Sequence, residues 1–559
     1  MKRINLYQTL IILLAFVFIG GQSSHAVEDE LKLKLQEVLA DSPSTALGFV
    51  DLQALPETVN KALRKTYQAN DDYPYWVTEH GPGQKAGALV SVLEAADEDG
   101  LDPGHYRLQR IKELWYSTHL HERALLDVAL TLALGNYVTD MREGQAVACL
   151  LDPKLFAAAR DKKVDISQVV HQALSAPDIV RFLHNQAPQH HGYQSLKKVL
   201  ARYKDLEKQG GWQAIPSGKV LKPGMSDDRL ELIVKRLSIT GDLPESADPV
   251  ETYEGPVVEA VKHFQKRYNL EQDGIIGKAT LAALNIPVQD HIRRIILNME
   301  RWRWLPHTLN GQRLLVNIAG FQLAGIQDEQ REISMPVIVG KVYHETPVFS
   351  HTMRYIEINP FWNIPQSIAV NEIVPKMRKD PDYLRKKHIR ILSGWQNNAS
   401  EINPATIDWQ TIGKGIKQYR LRQDPGPDNS LGTIKFMFPN RNNVYLHDTP
   451  AHSLFKKNKR SFSHGCIRVS KPRELAVYLL KKDGKDWSKE HIDSLIAKGK
   501  RMIIPLKNPF PVHILYRTVF VDPADGTVHF FDDIYGRDTL LAKALFTKGQ
   551  PAQCRYKVH

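Results

Sequence analysis

Apolar positions recur at helical spacing along the N-terminal part of the chain. Leu31, Leu33, Leu35 and Val38 open one stripe, and Ala124 to Tyr137 (ALLDVALTLALGNY) is apolar almost all round, the pattern of a buried helix. Gly100-Leu101-Asp102-Pro103 predicts a helix stop followed by a turn. Leu230, Ile233, Val234 and Leu237 predict a further helix. Val257, Val258, Val261, Phe264 and Tyr268 predict the next, which ends near Asp273-Gly274, and Thr280 to Leu284 predicts a third, short one. His291 to Trp304 reads as one more. From about Arg313 the rhythm changes, and Leu314 to Ile318, Ile333 to Val339 and Met353 to Ile358 read as strands. Pro511 to Val521 and Thr527 to Phe531 read as the last strands. Leu392 to Arg422 is polar and rich in Asn, Gln and charge. The segment 365–423 is therefore expected to be an insertion, mostly helix and loop, acting as a lid.

At 559 residues the chain is too long for one ordinary core, so several domains are expected. Its formal net charge of +12 suits an anionic partner: nucleic acid, phospholipid headgroups or an acidic wall polymer. The N-terminus narrows that choice. Lys2 and Arg3 precede an apolar run from about Leu10 to Gly21, closed by Ser24-His25-Ala26. This reads as a secretory signal over 1–26, with an uncleaved inner-membrane anchor as the alternative. A periplasmic protein follows as the expectation, with no nucleic-acid partner. Three cysteines are too few for a disulfide scaffold. Cys149 and Cys554 are open to pairing or to remaining free thiols. Cys466 is left over in the most reactive context, and a free thiol outside the cytoplasm points to chemistry rather than packing.

Two segments carry that chemistry: Tyr445-Leu446-His447-Asp448-Thr449-Pro450 and Ser463-His464-Gly465-Cys466-Ile467-Arg468. A cysteine nucleophile acts as a thiolate, and a neighbouring imidazole accepts its proton. The residues alone leave His447 and His464 both open as that base. Gly465 lets the backbone turn closely, so that amide N–H groups near the thiolate face a developing oxyanion. No H-E-x-x-H is present, and His184, His190 and His191 read as a loose polar group, so neither metal nor cofactor is expected. Two S-x-x-K strings, Ser195 to Lys198 and Ser453 to Lys456, lack a following K-T-G and read as surface.

His447, the fifteen or so residues after it, and Ser-His-Gly-Cys-Ile-Arg resemble the signature of the L,D-transpeptidases. Val316-Asn317-Ile318, Asn359 to Pro365, Gly426 to Gly432, Lys435 to Asn440 and Phe531 to Asp538 are similar to the large Gram-negative subclass. Val258 to Asn285 resembles a peptidoglycan-binding three-helix module, the match carried by Phe264, Gln265, Asp273, Gly274, Gly277, Thr280 and Leu284. The resemblance implies an α+β chain. A helical scaffold over 27–222, onto which helix 288–304 packs back, carries the module at 223–286. A mixed β-sandwich catalytic domain with a helical lid follows over 306–559. It implies Cys466 as nucleophile, His447 as general base with its tautomer fixed by a backbone carbonyl, and His464 as an orienting group. Tyr445 and the Gly465–Cys466 backbone would serve the oxyanion. Ser463, Arg468, Asn429, Ser430 and Gly432 would lie on the substrate side, Arg468 holding the loop or pairing with a substrate carboxylate. The implied reaction joins peptidoglycan tetrapeptide stems as donor and acceptor through 3–3 crosslinks, with peptidoglycan synthases as partners and carbapenems as inhibitors.

Overall fold

The computed structural model describes residues 26–40, 57–146, 164–244, 250–306, 309, 311–396 and 398–546. All but the last residue of the leader expected over 1–26, together with Cys149 and Cys554, lies outside them. The N-terminal part is helical. Its centre is α1 (Leu120–Glu143), in which Leu125, Leu126, Val128, Leu130, Leu132 and Leu134 are all buried. Gly100 closes the preceding helical turn in the left-handed region (φ 70), and Asp102 caps the next one through the Gly104 amide. The stripe at the N-terminus buries Leu31, Leu35 and Val38 but leaves Leu33 exposed. Two residues advance a helix by about 200°, so Leu33 faces away from Leu31.

After α2 (His191–Lys208) come α3 (Leu230–Ile239), α4 (Pro256–Arg267) and α5 (Lys278–Leu284), and then α6 (Val288–Arg303). The residues that α3 to α5 share with the binding module hold the fold. Gln265 Nε2 donates to Asp273 Oδ1 (2.9 Å) and to the Ile275 carbonyl (3.0 Å), and Gln265 Oε1 accepts from the Gly274 amide (2.9 Å). Gly274 sits at φ 69, where only glycine is comfortable. α6 lies against α2, and α1 to α6 share one continuous apolar core.

The C-terminal part is a nine-stranded mixed sheet. Its strands are β1 (Gln312–Asn317), β2 (Gln322–Gln327), β3 (Gln330–Gly340), β4 (Phe349–Ile358), β5 (Ile434–Met437), β6 (Leu446–His447), β7 (Ser461–Ser463), β8 (Ile467–Val469) and β9 (Met502–Leu515). They lie in the order β7-β3-β8-β6-β5-β4-β9-β1-β2. An additional β2–β3 pairing closes the sheet on itself, so its halves face each other across a core that includes Val316, Val337, Ile356, Phe436, Leu446 and Ile467.

One expectation needs correction. Pro511 to Val521 is not one strand: β9 stops at Leu515, and Val519–Val521 pairs instead with Val528–Phe530. The break is pinned by Thr518, whose amide donates to Asn298 Oδ1 of α6 (2.9 Å) and whose hydroxyl donates to Asp538 (2.7 Å). The resulting hairpin joins the helical core through Val519, Val528 and Phe530. The insertion, mostly helix and loop, also carries short strands. With Trp362–Asn363 just before it they form a four-stranded sheet, ordered Trp362–Asn363, Arg420–Gln423, Ile389–Leu392 and Glu401–Ile402, over a core of Ile364, Ile373, Met377, Ile391, Ile416 and Leu421. Its helical segment, 366–379, widens to a π-turn at Ala369–Ile373. Pro375 lacks the N–H that would bond residue 371, which accounts for the widening.

Candidate active site

β6 and β8 are adjacent and parallel, with Leu446 opposite Ile467 and His447 opposite Arg468. Leu446 and Ile467 point into the core. Side chains alternate along a strand, so Tyr445, His447, Cys466 and Arg468 share the opposite face. The Ile467 amide donates to the Tyr445 carbonyl (3.1 Å), which sets Cys466 beside Tyr445. The same face continues across the sheet through Lys435, opposite His447, and Glu357, opposite Lys435.

His447 is buried, and its Nδ1–H donates to the Asp448 carbonyl (2.6 Å). That bond leaves Nε2 as the acceptor. Burial first, and then the Arg468 charge, push its pKa down to about 3, so the ring is neutral near pH 7. Burial raises the Cys466 thiol, against which the Tyr445 amide and hydroxyl, Lys435 and Arg468 pull it down. The resting pair is a neutral thiol and a neutral imidazole, with Cys466 Sγ directed at the Asn443 carbonyl (3.7 Å). Tyr445 is held high by burial and by the Cys466 charge, so it stays a phenol and a donor. The Lys435 ammonium lies 4.0 Å from the centre of the Tyr445 ring.

The loop bearing Cys466 is held from several sides. Gly465 adopts φ 110, which a side chain would strain. Ser463 Oγ donates to the Cys466 carbonyl and accepts from the Gly465 amide (3.1 Å). Thr346 Oγ1 donates to the Gly465 carbonyl (2.8 Å), and the Thr346 amide donates to Tyr535 Oη (3.2 Å). Tyr535 Oη donates in turn to the Gly340 carbonyl (2.7 Å), and Arg537 pairs with Glu345 (2.7 Å). The C-terminal segment Phe531 to Asp538 thus buttresses the Cys466 loop from behind.

Several expected roles change in this geometry. Ser463 is buried and its hydroxyl is engaged within the turn, so it is not available to substrate. The Gly465 amide is committed to Ser463. Of the backbone pair, only the Cys466 N–H lacks a partner among the described residues, and it remains for an oxyanion. Asn429 is buried, with Nδ2 on the Pro360 and Asp424 carbonyls (3.0 and 2.9 Å) and Oδ1 on the Leu431 amide (2.8 Å). It therefore pins the root of the lid. Ser430 is half-buried beside it, its amide on Gln423 Oε1 (3.0 Å). Gly432, at φ 61, makes room for Asp448: an added Cβ would lie 2.4 Å from that carboxylate. Asp448 Oδ2 accepts from the Thr433 amide and hydroxyl (2.9 Å each), so the carboxylate holds the backbone while its carbonyl orients His447. His464 faces the lid, with Nε2 2.6 Å from Glu372 Oε1 in the π-turn and its ring 4.9 Å from that of His344. Arg468 is half-buried, and its Nε has no partner. Of the histidines read as a loose polar group, His190 is buried, its Nε2 on the Pro306 carbonyl (2.7 Å). The Asp448 carbonyl is the tautomer-fixing group expected after His447, whereas no role was assigned from the sequence to Asn443, Lys435, Thr346 or Glu372. For Lys435 a signal existed in its alternation with buried Ile434 and Phe436.

A half-buried cysteine beside a buried histidine on neighbouring strands is a pairing able to carry nucleophilic catalysis. Family comparison narrows this. Residues 311–503 match the model described as L,D-transpeptidase catalytic domain, 226–284 the one described as "Putative peptidoglycan binding domain", and 61–200 the one described as scaffold domain. Residues 311–503 thus match an L,D-transpeptidase catalytic domain, in a chain that also carries the scaffold and peptidoglycan-binding matches. The chain is 34% identical over 246 residues to a Haemophilus influenzae protein named "Putative L,D-transpeptidase", covering 44% of this chain and 48% of that one. The match thus spans about half the length of that relative. Among solved structures, an L,D-transpeptidase from Xylanimonas cellulosilytica aligns at 14% identity over 54% of this chain and 99% of its own, with a TM-score of 0.18. An LD transpeptidase in complex with imipenem aligns at 13% identity over 37% and 59%, also with a TM-score of 0.18.

Proposed function

We propose that the protein is a periplasmic peptidoglycan L,D-transpeptidase with Cys466 as its nucleophile. The observation that carries this reading is the shared face of β6 and β8, which sets Tyr445, His447, Cys466 and Arg468 together. The donor is a tetrapeptide stem, attacked at the bond between meso-diaminopimelate and the terminal D-alanine. As Sγ approaches the carbonyl carbon, the thiol proton passes to His447 Nε2, so both neutral partners become charged only in the reaction. The Tyr445 hydroxyl and the Cys466 N–H receive the oxyanion. Collapse breaks the C–N bond, and D-alanine leaves with the proton from His447. The side-chain amine of a second stem then attacks the thioester and the C–S bond breaks. The amine proton passes through His447 back to the thiolate, and a 3–3 crosslink results. Arg468, with its unpartnered Nε, takes a stem carboxylate. Peptidoglycan synthases are the proposed partners.

Muropeptide mass analysis tests this. Purified protein should convert tetrapeptide stems into 3–3 dimers, and Cys466→Ala should abolish them while keeping its fold. Dimers formed by the variant at the unmodified rate would remove Cys466 from the mechanism. A carbapenem presents a strained mimic of the scissile carbonyl and should add once to the protein. The adduct should map to Cys466; mapping to Cys149 or Cys554 would defeat the assignment.

A further inference from the structure

One face of β1 and β9 meets the helical part. Arg313, Leu315 and Asn317 alternate with the core residues Leu314 and Val316 along β1, and His513 and Leu515 of β9 lie opposite Leu315 and Asn317. Leu515 shares an apolar cluster with Trp302 of α6, whose ring lies 4.9 Å from that of His190, just before α2. Arg517 follows shortly after β9 ends at Leu515. Its backbone is clamped by Asn317, whose Oδ1 accepts from the Arg517 amide (3.0 Å) and whose Nδ2 donates to the Arg517 carbonyl (3.1 Å). The Arg517 guanidinium lies over the Trp302 ring, 3.5 Å from its centre.

That stack satisfies the face of the guanidinium and not its edge. Arg517 is only 7% exposed, its Nη2 is buried without a hydrogen-bond partner, and no carboxylate pairs with it among the described residues. The N–H donors of a buried cation require acceptors, and an uncompensated buried charge is strongly destabilising. The surroundings sharpen the deficit. Arg313, also buried, repels Arg517, and Glu329, the acid whose charge reaches Arg517, is already paired with Arg313. Burial first, and then Arg313, pull the Arg517 pKa down to about 9. Arg313 Nε is itself without a partner. The neighbouring histidines bring no negative charge: His513 Nδ1 lies 2.7 Å from Ser350 Oγ, and His190 is held on the Pro306 carbonyl. α2 starts against the same indole, since a Cβ on Gly192 would collide with Trp302, and it has no side-chain cap. Its positive end adds to the field.

We infer that the junction between the helical part and the catalytic sheet binds an oxyanion, a phosphate or a carboxylate, on the Arg517 guanidinium. The anion takes the free edge of Arg517, and the Arg313 charge and the positive end of α2 reinforce it. Trp302 and the Asn317 clamp hold the guanidinium in one orientation before the ligand arrives, so little ordering is lost on binding. The bound anion offsets the buried charge and thereby braces β1 and β9 against α2 and α6.

The test follows the Tm of the full chain while sodium phosphate, and in a second series sodium acetate, replaces chloride at constant ionic strength and pH. A ligand of the folded state stabilises it by mass action, so the Tm of the unmodified protein should rise by a few degrees over the millimolar range. Arg517→Met keeps an unbranched side chain on Trp302 and removes the charge. Its Tm in chloride should equal or exceed that of the unmodified protein, because no buried cation is left uncompensated, and phosphate should not raise it. Arg517→Lys should keep part of the response. A rise with phosphate alone assigns a tetrahedral anion; a rise with acetate assigns a carboxylate, such as the end of a peptide. Line broadening in the phosphorus NMR spectrum of phosphate, and in the proton spectrum of acetate, reads binding to the unmodified chain directly, should Arg517→Met fail to fold. An unmodified protein that responds to neither anion, or an equal rise in Arg517→Met, overturns the site and leaves Arg517 held by Trp302 alone.

Discussion

At the scale of single residues, the protonation states of Cys466 and His447 decide how the site works. Burial disfavours charge on both, so the pair is not a preformed thiolate–imidazolium. His447 has its Nδ1 anchored on a carbonyl and its Nε2 available, which are the requirements of a general base. His464 is instead turned to Glu372 on the lid. Single-turnover acylation should therefore fall roughly 100-fold or more in His447→Ala and only a few-fold in His464→Ala; a reversed order would exchange their roles. The residues proposed to act on the reacting bond could be named from the sequence because chemistry restricts their identity: a cysteine, and a histidine to take its proton. Their supports could not. Lys435 and Asn443 act through position alone, one as the cross-strand neighbour of His447 and the other through its carbonyl, which any residue type carries. Ser463 and Asn429 were misplaced for the converse reason. A polar side chain in a motif looks free until its hydrogen bonds are traced.

At the scale of elements, strands with alternating or continuous apolar residues were legible, and β1, β3 and β4 lie close to their expected positions. β2, Gln-Leu-Ala-Gly-Ile-Gln, carries too few apolar residues to stand out, and it forms because β1 and β3 pair with it on either side. The lid strands escaped for a similar reason. Arg420 to Gln423 alternates charged and buried positions in a polar stretch, and its pairing with Ile389–Leu392 lies some thirty residues back. The insertion folds as a unit over its own core. Its only ion pair with the nucleophile loop, among the described residues, is Glu372 with His464, both partly exposed, a contact worth about 0–1 kcal/mol. Glu372→Ala should accordingly weaken donor binding by no more than about fivefold and raise the ratio of stem hydrolysis to crosslinking. Replacing the whole insertion with a short Gly/Ser linker should raise that ratio further, because a thioester open to water has a second fate. Both products can be quantified by chromatography of the same reaction. An unchanged ratio and donor affinity in both proteins would assign the lid to stability or to partners.

At the scale of the whole molecule, contacts between distant segments could not be read along the chain. Phe530 packs on Tyr203, Tyr268 and His291, and Arg267 of the module donates to the Val528 carbonyl (3.0 Å), so the last hairpin ties the helical part to the catalytic sheet. These junctions bury histidines as neutral rings, which gives folding a pH dependence. Burial lowers His190, His513 and His529 to about 4, and His291 and His447 to about 3, from an ordinary 6.5. Below pH 6.5 the unfolded chain protonates these rings while the folded chain does not. The unfolded state then binds more protons, so stability falls as pH falls, until the folded values near 3–4 are reached. Asp127 works the other way: burial raises it to about 6, so the folded state takes up a proton between about 6 and 3.8 and stability gains as pH falls there. With five histidines against this aspartate, the net slope is destabilising toward acid. Each fully shifted ring contributes about 1.4 kcal/mol per pH unit within its window. His529 lies between the Phe520 and Phe531 rings, so His529→Phe should be accommodated while removing one such term. Denaturant unfolding at pH 7.0 and pH 5.0, on both proteins, measures the slope. The unmodified chain should lose stability at the lower pH, and the variant should lose less of it, by about 1–2 kcal/mol over that range. Equal losses in the two proteins would mean that His529 is protonated in the folded state and that the hairpin junction admits its charge.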